Sequence, residues 1–150
     1  MAAVSAAQSA WVRDTITQHL TVGGKPITQA QPLAVSRCDL ERLKPDFLVC
    51  EKTDGVWRRF FTAGGSSDGW WSVDRTGCVR PESTTPTSAP GTTIIDCEVL
   101  SEGRVRAFDA LWIAGQDVRA RRTLERLALI EQHTPITPKR MRPAGELDAL

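Results

Sequence analysis

The chain has 150 residues, 41% hydrophobic and 25% charged, with 19 basic and 18 acidic side chains and a net charge of +1. That profile suits one soluble globular domain long enough to bury a core of its own. The near-neutral balance argues against a free-standing non-specific nucleic-acid binder, so any RNA contact is expected to be local and weak. No apolar stretch approaches the ~18 residues of a membrane span, so no membrane partner is expected. The N-terminus lacks the early positive charge of a signal peptide.

From the N-terminus, residues 1 to about 20 read as a short helix, with Trp11, Ile16 and Leu20 as apolar contacts. Gly23-Gly24-Lys25-Pro26 breaks it. Gln31 to Val35 reads as extended, and Ser36 opens a short helix with Asp39 at the capping-box position and Leu40 and Leu43 on its buried face, stopped by Pro45. A run of strands follows: Phe47 to Glu51, Val56 to Thr62, Trp70 to Asp74 after a Gly/Ser hairpin loop, and Cys78 to Arg80. Pro81 to Gly91 is a polar loop. Thr92 to Leu100 and Arg104 to Ile113 pair across a tight Glu102-Gly103 turn. Asp117 to about Gln132 gives the strongest helical spacing, through Val118, Leu124, Leu127 and Ile130, and the Pro-rich tail after it is expected to be extended or loose. Helix, hairpins and helix in that order favour an α+β fold with a mostly antiparallel sheet and flanking helices.

The four cysteines, at 38, 50, 78 and 97, form no Cys-x-x-Cys pair and lie far in sequence from His19 and His133, so a zinc site is not expected. Cys50 and Cys97 read as small buried hydrophobes. Four cysteines with no two close together in sequence suit a reducing compartment: the nucleus, or the cytoplasm or a viral factory if the source is viral.

Lys52 carries the chemical signal. It follows the apolar run Phe47-Leu48-Val49-Cys50 and opens Lys52-Thr53-Asp54-Gly55, which delivers an amine to a strand end. An amine of this kind attacks phosphorus once deprotonated, which burial or a neighbouring cation promotes. Expelling pyrophosphate further requires masking of its charge by a metal ion and basic side chains. Carboxylates for metal or ribose, arginines for phosphates and an aromatic face for a base complete such a site. Asp54, Arg58, Arg59, Arg75, Asp96, Glu98 and Phe108 stand at or near strand ends in this sequence, and Asp96 and Glu98, two apart, share one strand face. Alone, each has a plainer reading: a turn lysine, a solvated arginine, the outer face of an amphipathic strand, a core phenylalanine. The arginines of the last helix, Arg119, Arg121, Arg122 and Arg126, read as a solvated face.

The ordered set resembles the guanylyltransferase of mRNA capping, a member of the lysyl-nucleotidyl transferase superfamily that also holds ATP-dependent DNA and RNA ligases. Gln31-Pro32-Leu33-Ala34-Val35-Ser36-Arg37 resembles that family's "QPVSL-R" entry, and Glu51-Lys52-Thr53-Asp54-Gly55-Val56 its KxDGxR motif. Trp71-Ser72-Val73-Asp74-Arg75 resembles "LIDR", and Thr93-Ile94-Ile95-Asp96-Cys97-Glu98 resembles "LLDGE". Phe108-Asp109-Ala110-Leu111 with Glu125-Arg126-Leu127 resembles "FDAL…ERL". The resemblance spans roughly residues 30 to 130 and implies an N-terminal helix and linker over 1–30, a partial nucleotidyltransferase domain over 31–132 and a loose tail over 133–150. It implies Lys52 as the nucleophile that takes GMP from GTP, with Mg²⁺ or Mn²⁺ as cofactor. It implies Thr53, Asp54, Gly55, Arg58, Arg75, Glu98 and Phe108 around the nucleotide: Asp54 orienting Lys52, Arg75 on ribose or phosphate, Glu98 on ribose or metal, Phe108 stacked on guanine. The implied acceptor is a 5′-diphosphate RNA end, with RNA triphosphatase and cap methyltransferase activities in the same pathway.

Three departures accompany the resemblance. The arginine of KxDGxR falls at Trp57, and Arg58 comes one residue late, so either a bulge re-aims Arg58 or the contact is missing. Cys97 stands where the family has glycine. After Leu129 neither the family's later lysine-bearing strand nor its OB fold is recognisable, and Lys139-Arg140-Met141-Arg142 does not resemble that strand. The alternatives are an incomplete, non-catalytic nucleotidyltransferase and an adenylylating polynucleotide ligase.

Overall fold

A computed structural model of the chain describes residues 4–27, 47–64, 69–82 and 90–144. They form two compact units, one of Met1–Ile27 with Thr53–Lys139 and one of Thr28–Lys52 with Arg140–Leu150. The fold is α+β with a mostly antiparallel main sheet, as the sequence suggests. The extended 31–35 segment and the Ser36-capped helix fall outside the described residues.

The first unit opens with α1 (Ala6–His19). Ser5 caps it by a reciprocal box: Gln8 N donates to Ser5 Oγ at 3.1 Å and Ser5 N donates to Gln8 Oε1 at 3.0 Å. Val12, Ile16 and Leu20 are its buried side, packed with Phe61, Ile94 and Leu111 of the sheet. Trp11 makes the expected apolar contact as well, meeting the ring of Phe61 edge-on at 5.5 Å, while remaining 41% exposed. A small hairpin follows, β1 (Thr21–Val22) and β2 (Lys25–Pro26), closed by Gly23 and Gly24 at φ 58° and 75°.

The main sheet holds β4 (Gly55–Thr62), β5 (Trp70–Val73), β6 (Val79–Glu82), β7 (Thr93–Leu100), β8 (Val105–Ile113), β9 (Gln116–Asp117) and β10 (Thr137–Pro138). The order is β10-β8-β7-β4-β5-β6, with β9 folding back on the end of β8. All pairings are antiparallel except β10 on β8. β4 and β7 at its centre are rich in β-branched and aromatic residues, and most of their side chains are buried. α2 (Thr123–His133) packs on β8, burying Leu127 and Ile130.

α2 begins later than its helical spacing suggests. Asp117 pairs with Trp112 as part of β9, and Val118 N donates to Leu111 O at 3.1 Å. Val118 is therefore buried by a returning strand, and Leu124 is exposed. The tail, expected to be extended or loose, is extended at Thr137–Pro138 among the described residues. Ile136 is buried, and Thr137 and Pro138 lie beside Arg106 and Ala107. Proline lacks an N–H, and the ladder is tied next door by Lys139 N donating to Ala107 O at 2.7 Å.

In the second unit, β3 (Leu48–Val49) pairs antiparallel with β11 (Arg142–Pro143), and Ala144 N donates to Phe47 O at 2.8 Å. Cys50 of this unit is exposed, not buried, while Cys97 of the main sheet is buried.

Candidate functional site

The β4–β7 ladder runs without a break from Gly55 opposite Leu100 to Thr62 opposite Thr93. Side chains alternate along each strand, so Trp57, Arg59, Asp96 and Glu98 share one face, while Arg58 and Cys97 share the other. The expected alternation of Asp96 and Glu98 is present.

Glu98 is the centre of the first face. Its Oε2 accepts from Thr53 Oγ1 and, at 2.5 Å, from Lys139 Nζ; its Oε1 accepts from Gly55 N at 3.1 Å. Gly55 has no room for a side chain here: a Cβ would stand 2.4 Å from Glu98 Cγ and 2.9 Å from Val99 O. Lys139 also lies 5.9 Å from the centroid of the Phe108 ring. Phe108 is the extra residue of a bulge in β8, since Asp96 faces Asp109 while Cys97 faces Ala107. Burial works to raise the Glu98 carboxyl, but the hydrogen bonds from Lys139 and Thr53, the Lys139 charge and the Gly55 N–H outweigh it and hold the group below the ordinary glutamate value.

Arg59 and Asp96 form the deeper pair on this face. Nε and Nη2 of Arg59 donate to the two Asp96 oxygens at 2.7 and 3.0 Å, and the guanidinium lies 5.4 Å from the Trp57 ring centroid. Burial pushes the Asp96 carboxyl up against the pull of that guanidinium.

Arg58 is turned away from Glu98. No bulge interrupts β4, so the shift from position 57 to 58 sends the guanidinium to the opposite face. There it is buried, donating to Ser72 Oγ at 2.6 Å, with Asp74 at 3.7 Å and Glu82 at 3.5 Å, and Ser72 in turn donates to Glu82 at 2.5 Å. A cavity of about 500 Å³ opens beside it, lined by Asp54, Val56, Arg58, Arg80, Val99 and Leu100 among others.

Thr53, Gly55, Glu98 and Phe108, named from the sequence, thus meet around one carboxylate and one ammonium. Asp54 is exposed and lines the cavity with Arg58. Arg75 is exposed in the turn after β5, a turn built by Asp74, whose Oδ1 accepts from Thr76 N, Thr76 Oγ1 and Cys78 N. The Thr76 hydroxyl is the largest influence holding the Asp74 carboxyl below its ordinary value. Lys52 belongs to the second unit, where it is exposed, one peptide bond before Thr53. The two pieces of the Phe108-Asp109 … Arg126 pattern also meet, Arg126 Nε donating to Asp109 Oδ1 at 2.7 Å.

Lys139 is the residue that sequence reasoning missed. The basic run Lys139-Arg140-Met141-Arg142 is visible in the sequence but does not resemble the family's lysine-bearing strand, and the partner of Lys139 lies 41 positions back.

Magnesium bound through Glu98 does not fit this arrangement. A divalent cation needs several oxygen ligands, whereas both Glu98 oxygens already accept from an ammonium, a hydroxyl and an amide. Among the described residues no group of three or more His, Cys, Asp or Glu side chains gathers to hold a metal ion. Nor, among them, is any helix long and apolar enough to cross a membrane.

No protein-family model matches the chain, and no curated protein matches it.

Proposed function

We propose that this chain is a lysyl-nucleotidyl transferase of the mRNA-capping type, a guanylyltransferase whose nucleophile is Lys52. The observation that supports the reading is the junction of two of its motifs: Glu98, 45 positions from Thr53 and 43 from Gly55, receives hydrogen bonds from both. Motifs scattered by chance along a chain have no reason to share a carboxylate.

The reaction has two steps. The Lys52 amine, having given up a proton, attacks the α-phosphorus of GTP. An N–P bond forms, the α,β-bridging P–O bond breaks, and pyrophosphate leaves with the electron pair. A terminal oxygen of a 5′-diphosphate RNA end then attacks the same phosphorus, the N–P bond breaks and the lysine recovers a proton. Mg²⁺ or Mn²⁺ enters this reading as the counter-ion of GTP and not as a ligand of Glu98. Partner triphosphatase and methyltransferase activities would supply the diphosphate end and finish the cap.

A second reading has a specific observation in its favour. Arg58 and Glu98, both expected at the nucleotide, are engaged by the protein's own side chains. That suits a nucleotidyltransferase relative without turnover. One experiment separates the readings: incubation with Mg²⁺ and α-labelled GTP or ATP, then a denaturing gel. The proposal expects label from GTP, retained through denaturation and absent in Lys52→Ala. Label from ATP alone points to a ligase-type enzyme. No label from either nucleotide on folded protein leaves the non-catalytic reading standing.

A further inference from the structure

We infer that Glu98 is a strut and Lys139 its latch: together they fix the Thr53–Gly55 segment that follows Lys52, and Lys139 supplies the positive charge that a metal ion would otherwise bring to this carboxylate. The catalytic consequence rests on the guanylyltransferase reading. The structural claim stands on geometry alone.

Three donors from two distant stretches converge on one side chain. Thr53 Oγ1 and Gly55 N come from the entry to β4, and Lys139 Nζ comes from the end of β10. A carboxylate with three donors has little acceptor capacity left. Lys139 is fixed at both ends. Its backbone N is tied to Ala107 O at 2.7 Å, and its ammonium is set between Glu98 and the Phe108 ring. The Glu98 and Lys139 side chains are 16% and 12% exposed, so the pair is poorly hydrated, and removing one partner leaves the other charge stranded. The parallel pairing of β10 with β8 delivers the ammonium here, which gives that two-residue strand a purpose.

Lys139 is then a positioning residue. It acts on the chemistry through Glu98 and the segment that Glu98 holds, and misplacing a reacting group by ~1 Å costs on the order of 100-fold in rate. A divalent ion at Glu98 would have to displace the ammonium, and among the described residues no group of three or more His, Cys, Asp or Glu side chains gathers to hold one.

The test reads the strut directly. Hydrogen exchange at the Gly55 amide is measured in the full chain for wild type, Lys139→Met and Lys139→Arg, with far-UV circular dichroism to confirm folding. Losing a charge-assisted hydrogen bond predicts exchange faster by about tenfold or more in Lys139→Met, recovered in Lys139→Arg. Unchanged exchange in Lys139→Met overturns the inference. So does a shift of the Glu98 carboxyl resonance in wild type on adding Mg²⁺ without nucleotide. If Lys139→Met fails to fold, Glu98→Met in its place, which removes the acceptor, must release the Gly55 amide, and retained protection there overturns the strut. Labelling by GTP is followed in parallel, where Lys139→Met is expected to slow GMP transfer and Lys139→Arg to restore it. Absence of label in wild type removes the guanylyltransferase reading and leaves the strut to be judged by exchange alone.

Discussion

Arg58 and Arg59 are neighbours in the chain and sit on opposite faces of the same strand, and the two faces use arginine differently. Arg59 meets a single carboxylate, Asp96, in a two-point bond deep in the sheet, with both side chains under 10% exposed. Arg58 meets Asp74 and Glu82, which are 20% and 26% exposed, and a serine shared with one of them. The first pair has little water to fall back on. The second has water at hand and several partners. Identical residue types one position apart therefore carry different energetic stakes, set by strand parity and by how much solvent reaches the partner.

That difference is open to measurement. Asp96→Asn keeps the shape of the pair but leaves the Arg59 charge uncompensated in the interior, and a loss of about 3–5 kcal/mol in urea unfolding is expected. Arg58→Met should cost less, about 1–2 kcal/mol, because Ser72 keeps its bond to Glu82 and both carboxylates can hydrate. Equal losses would mean that solvent access does not distinguish the faces. The Arg58 variant also bears on the site. Turned away from Glu98, Arg58 is expected to leave the yield of GTP labelling unchanged, and a loss of label with the fold intact would return it to the nucleotide.

How far the sequence carried the fold follows from the reach of the interactions involved. Period-2 patterning made β4, β7 and β8 legible, because each strand signals its own buried face. The same rule made Glu98 and Asp96 partners of one face and flagged Arg58 as one residue out of step. Local pattern failed where distant contacts decided the outcome. Val118 fits a helical period, yet it is buried by β9 folding back on β8. The Pro-rich tail reads as extended or loose, and it is the pairing with β8 that makes it extended at Thr137–Pro138, where the missing N–H of Pro138 is not needed. Cys50 reads as the end of an apolar strand, but only Leu48 and Val49 pair and Cys50 is exposed. Lys139 reads only as part of a basic run unlike the family's lysine strand, since nothing near it in sequence names Glu98 as its partner.

The smallest effect concerns charge rather than global stability, and it contrasts the same two faces. Glu98 is held below the ordinary carboxyl value of 4.5 in the folded chain. A lowered folded value means that its contribution is fully present above the ordinary value and is lost as pH falls through the folded one. The Gly55 amide should therefore keep its hydrogen-bonded shift from about pH 7 down past the ordinary range and lose it only below. Burial alone raises this group, and Lys139 provides the first of the forces opposing it. In Lys139→Met the transition should consequently move up. Asp74 on the other face should behave differently. Its value is lowered chiefly by the hydroxyl of Thr76 in its own turn, and Arg58 contributes least among the causes. Arg58→Met should leave the Asp74 transition nearly where it was. If both midpoints move alike, or neither moves, then Lys139 is one more surface charge and not the residue that holds Glu98 ionised against its burial.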